Sequence, residues 1–206
     1  MKDQEYEYVY DEEEDKKYCY PGSNVLINRL DIRDLNDLHT AEREYSMARY
    51  AELLKKGVTG KFDLKHLRNI HKYLFQDIYS WAGKLRTVDI SKGNLFCRSQ
   101  FIEEQFEEIH QQLKDEAFLK DITEKDVFSD RIAYYLSEIN TVHPFREGNG
   151  RSQRLFCEQL CKNNGRFTLD FSNADKEEMV EASKKSFIRD YSGMEKLIRK
   201  HMKEEK

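Results

Sequence analysis

The sequence predicts an all-α fold: a helical bundle that carries one small β-hairpin. Three observations predict it. Apolar residues recur at three- and four-residue spacing along most of the chain, most regularly through Leu67, Ile70, Leu74, Phe75 and Ile78. A single stretch, Leu85 to Cys97, places β-forming residues on both sides of a turn signal, Ser91-Lys92-Gly93-Asn94. The 206 residues include only two prolines and no Pro/Gly/Ser-rich linker, so nothing divides the body into separate units.

In chain order, the periodicity predicts helices over Leu35–Lys56 and Leu64–Trp81, then the hairpin, then Gln100–Phe118, Glu124–Thr141, Arg151–Asn163, Ala174–Lys185 and Ser192–Met202. Ser99 and Thr123 are the predicted N-caps, and Gly57 and Gly165 the predicted C-terminal stops. The first twenty residues differ in character. Eight acids against three lysines give them a charge of −5, which leaves residues 21–206 at +1 and the chain at −4. Such a segment predicts an acidic tail, 1–20, ahead of one domain, 21–206. Tyr6, Tyr8, Tyr10, Tyr18 and Tyr20 within it are candidate self-modification sites, weighed against ordinary solvated or packed tyrosines.

Between the fourth and fifth predicted helices lies the uninterrupted run His143-Pro144-Phe145-Arg146-Glu147-Gly148-Asn149-Gly150-Arg151-Ser152-Gln153-Arg154. Phe128, Ile132, Tyr135, Leu136 and Ile139 form the apolar stripe before it, and Leu155, Phe156, Leu160 and Cys161 the stripe after it. Gly148-Asn149-Gly150 can adopt backbone angles denied to most residues, so successive N–H groups can converge on an anion. The next helix points its N-terminus at the same place, adding unpaired N–H groups and the positive dipole end. Arg151 and Arg154 are three apart, so both guanidinium forks can meet successive phosphates. Glu147 is the one acid in the run and suits Mg²⁺ shared with phosphate oxygens. His143 suits the general base for a hydroxyl nucleophile. Phe145 is expected to pin the loop to the core, and Pro144 to end the preceding helix. A competing reading, His143 and Glu147 as a hydrolytic metal pair, is disfavoured because Pro144 and the glycines interrupt a regular helical turn.

Eight positions of the run match the signature HxFx(D/E)GNGRxxR, a coincidence expected about once in 10⁷ chains or fewer at average residue usage. The chain thereby resembles the Fic family, weakly supported from about Tyr20 onward by Tyr20-Pro21-Gly22-Ser23 and the Val-Leu-Ile run after it. That resemblance implies a Fic fold and a protein adenylyltransferase, which moves AMP from Mg-ATP to a Ser, Thr or Tyr hydroxyl of a target protein. It implies His143 as base, Glu147 as Mg²⁺ ligand, Gly148, Asn149 and Gly150 as the anion hole, and Arg151 and Arg154 as clamps on the β- and γ-phosphates. Gly148 and Gly150 are of the AMP-transferring type, not of the kinase branch. By analogy the hairpin is a flap over the active site, with Val88, Asp89, Ile90, Leu95, Phe96 and Cys97 as the edge that docks an extended target segment.

The family's inhibitory pattern, (S/T)xxxE(G/N), has no full match. Thr40 to Glu44 comes closest but is followed by Tyr45. The expectation is therefore restraint by a separate antitoxin, in a toxin-like protein. Other transfers within the family, removal of AMP, and a silent nucleotide- or partner-binding module stay open as alternatives. No basic stripe predicts nucleic acid, and no apolar run predicts a membrane partner. Cys19, Cys97, Cys157 and Cys161 form no CxxC pair or zinc framework, which with the lack of a signal peptide predicts a cytoplasmic protein. Host-cell cytosol after secretion is the lesser alternative.

Overall fold

The computed structural model describes residues 9–10 and 15–205. Seven α-helices make up most of it: α1 (Leu35–Lys56), α2 (Leu64–Phe75), α3 (Ile102–Asp115), α4 (Lys125–Val142), α5 (Asn149–Asn164), α6 (Lys176–Ser186) and α7 (Ser192–His201). The all-α expectation with one small hairpin is met. Asp34, Asp63 and Asp175 cap α1, α2 and α6 by accepting amide protons of the first turn. None of the three is a predicted cap, and neither predicted one caps a helix with its side chain: the cap residues of the 3₁₀ turn Ser99–Phe101 and of α4 are Arg98 and Glu124. Gly57 and Gly165 do close α1 and α5, each at positive φ.

Helix α4 is the axis of the bundle. Phe128, Ile132, Tyr135, Leu136 and Ile139 are all buried, and α3, α5, α6 and α7 pack around it. Leu155, Phe156, Leu160 and Cys161 of α5 bury into the same core, with Leu67, Ile70, Leu74 and Phe75 of α2 on its far side. A core shared by three helices fixes the loop between α4 and α5 at both ends, which is what a rigid site requires.

Helix α2 stops at Phe75, short of the expected Trp81. The next residues turn, and the Ile78 carbonyl accepts the Arg29 amide instead of continuing the helix. Helix α3 begins through the 3₁₀ turn Ser99–Phe101 and ends at Asp115. The expected last residues, Ala117 and Phe118, take positive φ, and Asn163 and Asn164 of α5 bind the Phe118 and Leu119 carbonyls.

The hairpin is β2 (Ile90–Lys92) and β3 (Asn94–Leu95), turning on Gly93 at φ +73°. Strand β1 (Val9–Tyr10) pairs antiparallel with β2, setting Val9 against Ser91 and Tyr10 against Ile90. A second small sheet joins β4 (Phe167–Leu169) to β5 (Met202–Glu204), so Met202 starts a strand where a helix end is expected. The segment set apart by charge at residue 20 is also tied to the body. Asp15 forms a partly buried two-point ion pair with Arg146, and the Tyr18 ring meets Trp81 edge-on. Tyr6 and Tyr8 lie outside the described residues.

Candidate active site at the α4–α5 turn

His143 ends α4 in the left-handed conformation, φ 48°, with its amide still bonded to the Ile139 carbonyl 3.1 Å away. That turn swings the ring out of the helix, where it stacks on Phe96 of the hairpin at 3.8 Å. Its Nδ1 lies 3.3 Å from the Asn140 carbonyl oxygen. A carbonyl only accepts, so Nδ1 carries the proton and Nε2 carries the lone pair. Burial, reinforced by the Arg86 charge, lowers the imidazole pKa to about 3. The ring is therefore neutral across the physiological range.

The loop that follows is fastened at every residue. Phe145 is fully buried and stacks on His71 at 3.8 Å. His71 accepts the Gly83 amide at Nδ1, 2.8 Å, which leaves Nε2–H to donate to the Glu147 carbonyl at 2.9 Å. Asn149 clasps Phe145 from both sides, accepting its amide at 2.8 Å and donating to its carbonyl at 2.7 Å. Gly148 sits at φ +80°, and a Cβ there would fall 2.3 Å from the Phe75 ring. Helix α5 thus starts at Asn149, two residues before the expected Arg151, so Asn149 and Gly150 belong to its first turn. Their amides are among those that α5 leaves without intrahelical partners.

The two arginines differ. Arg151 reaches α1, pairing with Glu42 and donating to the Ser46 hydroxyl at 2.7 Å, while Glu42 also accepts the Tyr79 hydroxyl proton. Arg154 folds back beneath Gly150, and among the described residues its guanidinium takes no hydrogen bond or ion pair. Burial lowers its pKa. Its charge is felt by Glu158, farther along α5, but with no hydrogen-bonded carboxylate among the described residues this recessed cation is poised for an anionic ligand. Glu147 accepts its neighbour's amide, Gly148 N–H, at 2.8 Å and lies 3.8 Å from Arg151. Burial and the nearby Glu42 raise its carboxyl pKa. Among the described residues no three His, Cys, Asp or Glu side chains converge. The donor set is one partly exposed carboxylate beside an anion site, which fits Mg²⁺ completed by phosphate oxygens and water.

A cavity of about 410 Å³ opens beside these groups, within the size range of small-ligand sites. His143, Gly150 and Arg154 line one side, Lys92 and Phe96 of the hairpin the roof, and Met179 with neighbours on α6 the far wall.

Of the residues expected to dock a target, Ile90 and Leu95 lie in strands, while Val88, Asp89, Phe96 and Cys97 flank them. Val88, Ile90 and Phe96 are buried, and Leu95 is exposed. Asp89 accepts the Ser99 amide, and the Cys97 amide is bonded to the Thr141 carbonyl. β2 is paired on both sides, with β1 and with β3, so among the described residues the edge strands of this sheet are β1 and β3. In the inhibitory candidate, Glu44 is exposed and it is Glu42, two residues earlier, that pairs with a motif arginine.

Arg86 is the principal residue that sequence reasoning misses. Its buried guanidinium donates to the carbonyls of His143 (2.7 Å), Val88 (2.6 Å) and Cys97, binding the hairpin root to the end of α4. His71, Glu42, Ser46 and Tyr79 are missed as well. In the sequence they are ordinary members of helical stripes, and no spacing relates them to the motif.

The Fic/DOC family model matches residues 61–161. The chain is 40% identical over 188 residues, 91% of its length, to "Protein adenylyltransferase VbhT" of Bartonella schoenbuchensis, and spans 39% of that relative's length. It is 39% identical over 189 residues to "Probable protein adenylyltransferase Fic" of Escherichia coli, covering 92% of that protein. Among solved structures it resembles the N-terminal Fic domain of a cell-filamentation protein of Bartonella quintana with bound ADP, at TM-score 0.87 and 26% identity, covering 92% of this chain and 96% of that one. BepC of Bartonella tribocorum with bound AMPPNP gives TM-score 0.86 and 25% identity, covering 92% and 98%.

Proposed function

The chain belongs to the Fic/DOC family, and from that premise we propose that it is a protein adenylyltransferase that moves AMP from ATP to a Ser, Thr or Tyr hydroxyl of a target protein. One observation carries the reading. The Asn140 carbonyl holds the proton of His143 on Nδ1, which leaves the lone pair on Nε2, on the wall of a cavity shared with the Arg154 guanidinium, which takes no hydrogen bond or ion pair among the described residues.

The steps follow from this arrangement. The phosphates enter at the N-terminus of α5, where the first-turn amides and Arg154 receive them. Arg151, already held by Glu42 and Ser46, adds a preset positive charge at their edge. A target segment adds to the hairpin and brings its hydroxyl to His143. Nε2 takes the hydroxyl proton as the oxygen forms its bond to the α-phosphorus. The bond from the α-phosphorus to the bridging oxygen then breaks, and pyrophosphate leaves. Because the ring is neutral before the reaction, no prior deprotonation is needed. Mg²⁺, when bound at Glu147, supplies charge neutralisation at the phosphate oxygens.

Restraint in trans by a small antitoxin is part of the proposal, supported by the exposure of Glu44, which leaves the chain's own inhibitory candidate away from the motif arginines. A cytoplasmic site of action is proposed with it.

Intact-protein mass spectrometry of a bacterial lysate incubated with this chain and Mg-ATP tests the activity. An adenylate mass increment on a target, absent with His143→Ala, is expected. A phosphate increment, or none when the chain is free of any antitoxin, would overturn it.

A further inference from the structure

Gln153 and Asn140 stand on the cavity wall beside His143 and Arg154, and the mechanism above uses neither side chain. Both are more than nine-tenths buried, at 7% and 8% exposure. Gln153 Nε2 donates to Asn140 Oδ1 at 3.1 Å. That bond fixes the amide, and it leaves Gln153 Oε1 buried without a hydrogen-bond partner among the described residues. A buried acceptor without a donor is costly in a folded protein unless something supplies the donor. Here the acceptor belongs to a side chain that lines a cavity large enough for a small ligand.

The placement narrows the donor. The phosphate end of the site is fixed by the first turn of α5 and Arg154. On the nucleotide reading the reacting α-phosphate would meet His143, which lines the same cavity as Asn140 and Gln153 and whose Nδ1 is bonded to the Asn140 backbone. On that reading the amide pair would stand next to the α-phosphate. Across the cavity Phe171, Met179, Val180 and Phe187 form an apolar wall suited to a flat base. The part of a nucleotide that joins the α-phosphate to the base is the ribose, and its hydroxyls are donors.

Resting on the nucleotide reading above, we infer that Gln153, oriented by Asn140, accepts a hydrogen bond from a ribose hydroxyl and selects ribonucleotides over deoxyribonucleotides. A site built to bind a hydroxyl rejects the analogue that lacks it, because its own buried polar group is then left unpaired.

Calorimetric titration of the full chain with Mg-ATP, 2′-deoxyATP, 3′-deoxyATP and inosine triphosphate, without target protein, tests this. The expected result is binding of ATP with roughly tenfold or greater loss for one of the two deoxy analogues. In Gln153→Leu, ATP affinity falls to that of the deoxy analogue and the discrimination disappears. Asn140→Asp, which still accepts from Gln153 Nε2, keeps it. Equal affinity of the unaltered chain for ATP and both deoxy analogues overturns the inference whether or not any variant folds. So does discrimination that survives Gln153→Leu, or a loss on that substitution confined to inosine triphosphate, which would place the contact on the base. Failure of the chain to bind any of the four overturns the nucleotide reading instead.

Discussion

The Asn140 carbonyl oxygen lies 3.3 Å from His143 Nδ1, so the helix that carries the proposed base also sets its tautomer. The left-handed turn at His143 swings the ring out toward Phe96 while Nδ1 stays within reach of the Asn140 carbonyl. Orientation and tautomer come from one hydrogen bond and one backbone angle, while burial keeps the ring neutral.

A first consequence concerns pH. His143 and His71 are both lowered to about 3 by burial, against an ordinary value of 6.5. Their folded pKa values lie below the unfolded ones, so the stability they contribute is fully present above about 6.5 and is lost as pH falls toward 3. Each contributes a slope of up to about 1.4 kcal/mol per pH unit in that window. Urea unfolding at several pH values should show that slope, and His71→Gln should reduce it. NMR of the imidazole protons should find His143 unprotonated down to about pH 5. A His143 titration near 6.5 would contradict the burial-driven account.

The two motif arginines should separate on substitution. Arg151→Ala strands Glu42, which is buried and also serves Tyr79, and should cost about 3–5 kcal/mol of stability. Arg154→Met removes a recessed cation that has no partner among the described residues. It should leave the melting temperature unchanged or higher while weakening ATP binding by about 10–100-fold. Thermal unfolding and ATP titration of both variants check this; equal destabilisation by the two would be the contrary result.

Arg86 ties hairpin to helix, so its loss should be felt at His143 without direct contact with nucleotide. Arg86→Met leaves the carbonyls of His143, Val88 and Cys97 short of donors. A destabilisation of about 3 kcal/mol or more is expected, together with a fall in kcat that exceeds any change in ATP affinity. Arg86→Lys should rescue poorly, because an ammonium cannot reproduce the fork.

Gly148→Ala meets both a positive φ and the Phe75 ring, and should destabilise by about 2–4 kcal/mol. Gly150→Ala approaches only the flexible end of Arg154, at 3.1 Å, and should be milder. Pairing Gly148→Ala with Phe75→Leu should recover part of the loss; denaturant midpoints of these three variants and of Phe75→Leu alone decide it.

The sequence made the helices legible where burial follows a simple period, as in α4 and α5, and made the motif legible because its residues are contiguous. It could not show what holds the motif in place. His71 sits 76 residues from the carbonyl it binds, Arg86 57 residues from the His143 carbonyl, and Glu42 109 residues from Arg151. Such pairings arise only when helices pack. The strands β1, β4 and β5 were hidden for a related reason. Each is two or three residues long and exists through a partner distant in the chain. Acidic residues around Val9 and Tyr10 and the helical period running into Met202 masked two of them.

The most direct measurement of the central claim is transfer of radiolabel to protein from α-labelled and from γ-labelled Mg-ATP, with the intact chain and with His143→Ala. The account predicts labelled target from α-labelled ATP alone, reduced by about 10² to 10⁴-fold in the variant, with ATP binding retained. Label arriving from the γ-position, or undiminished transfer by His143→Ala, would contradict it.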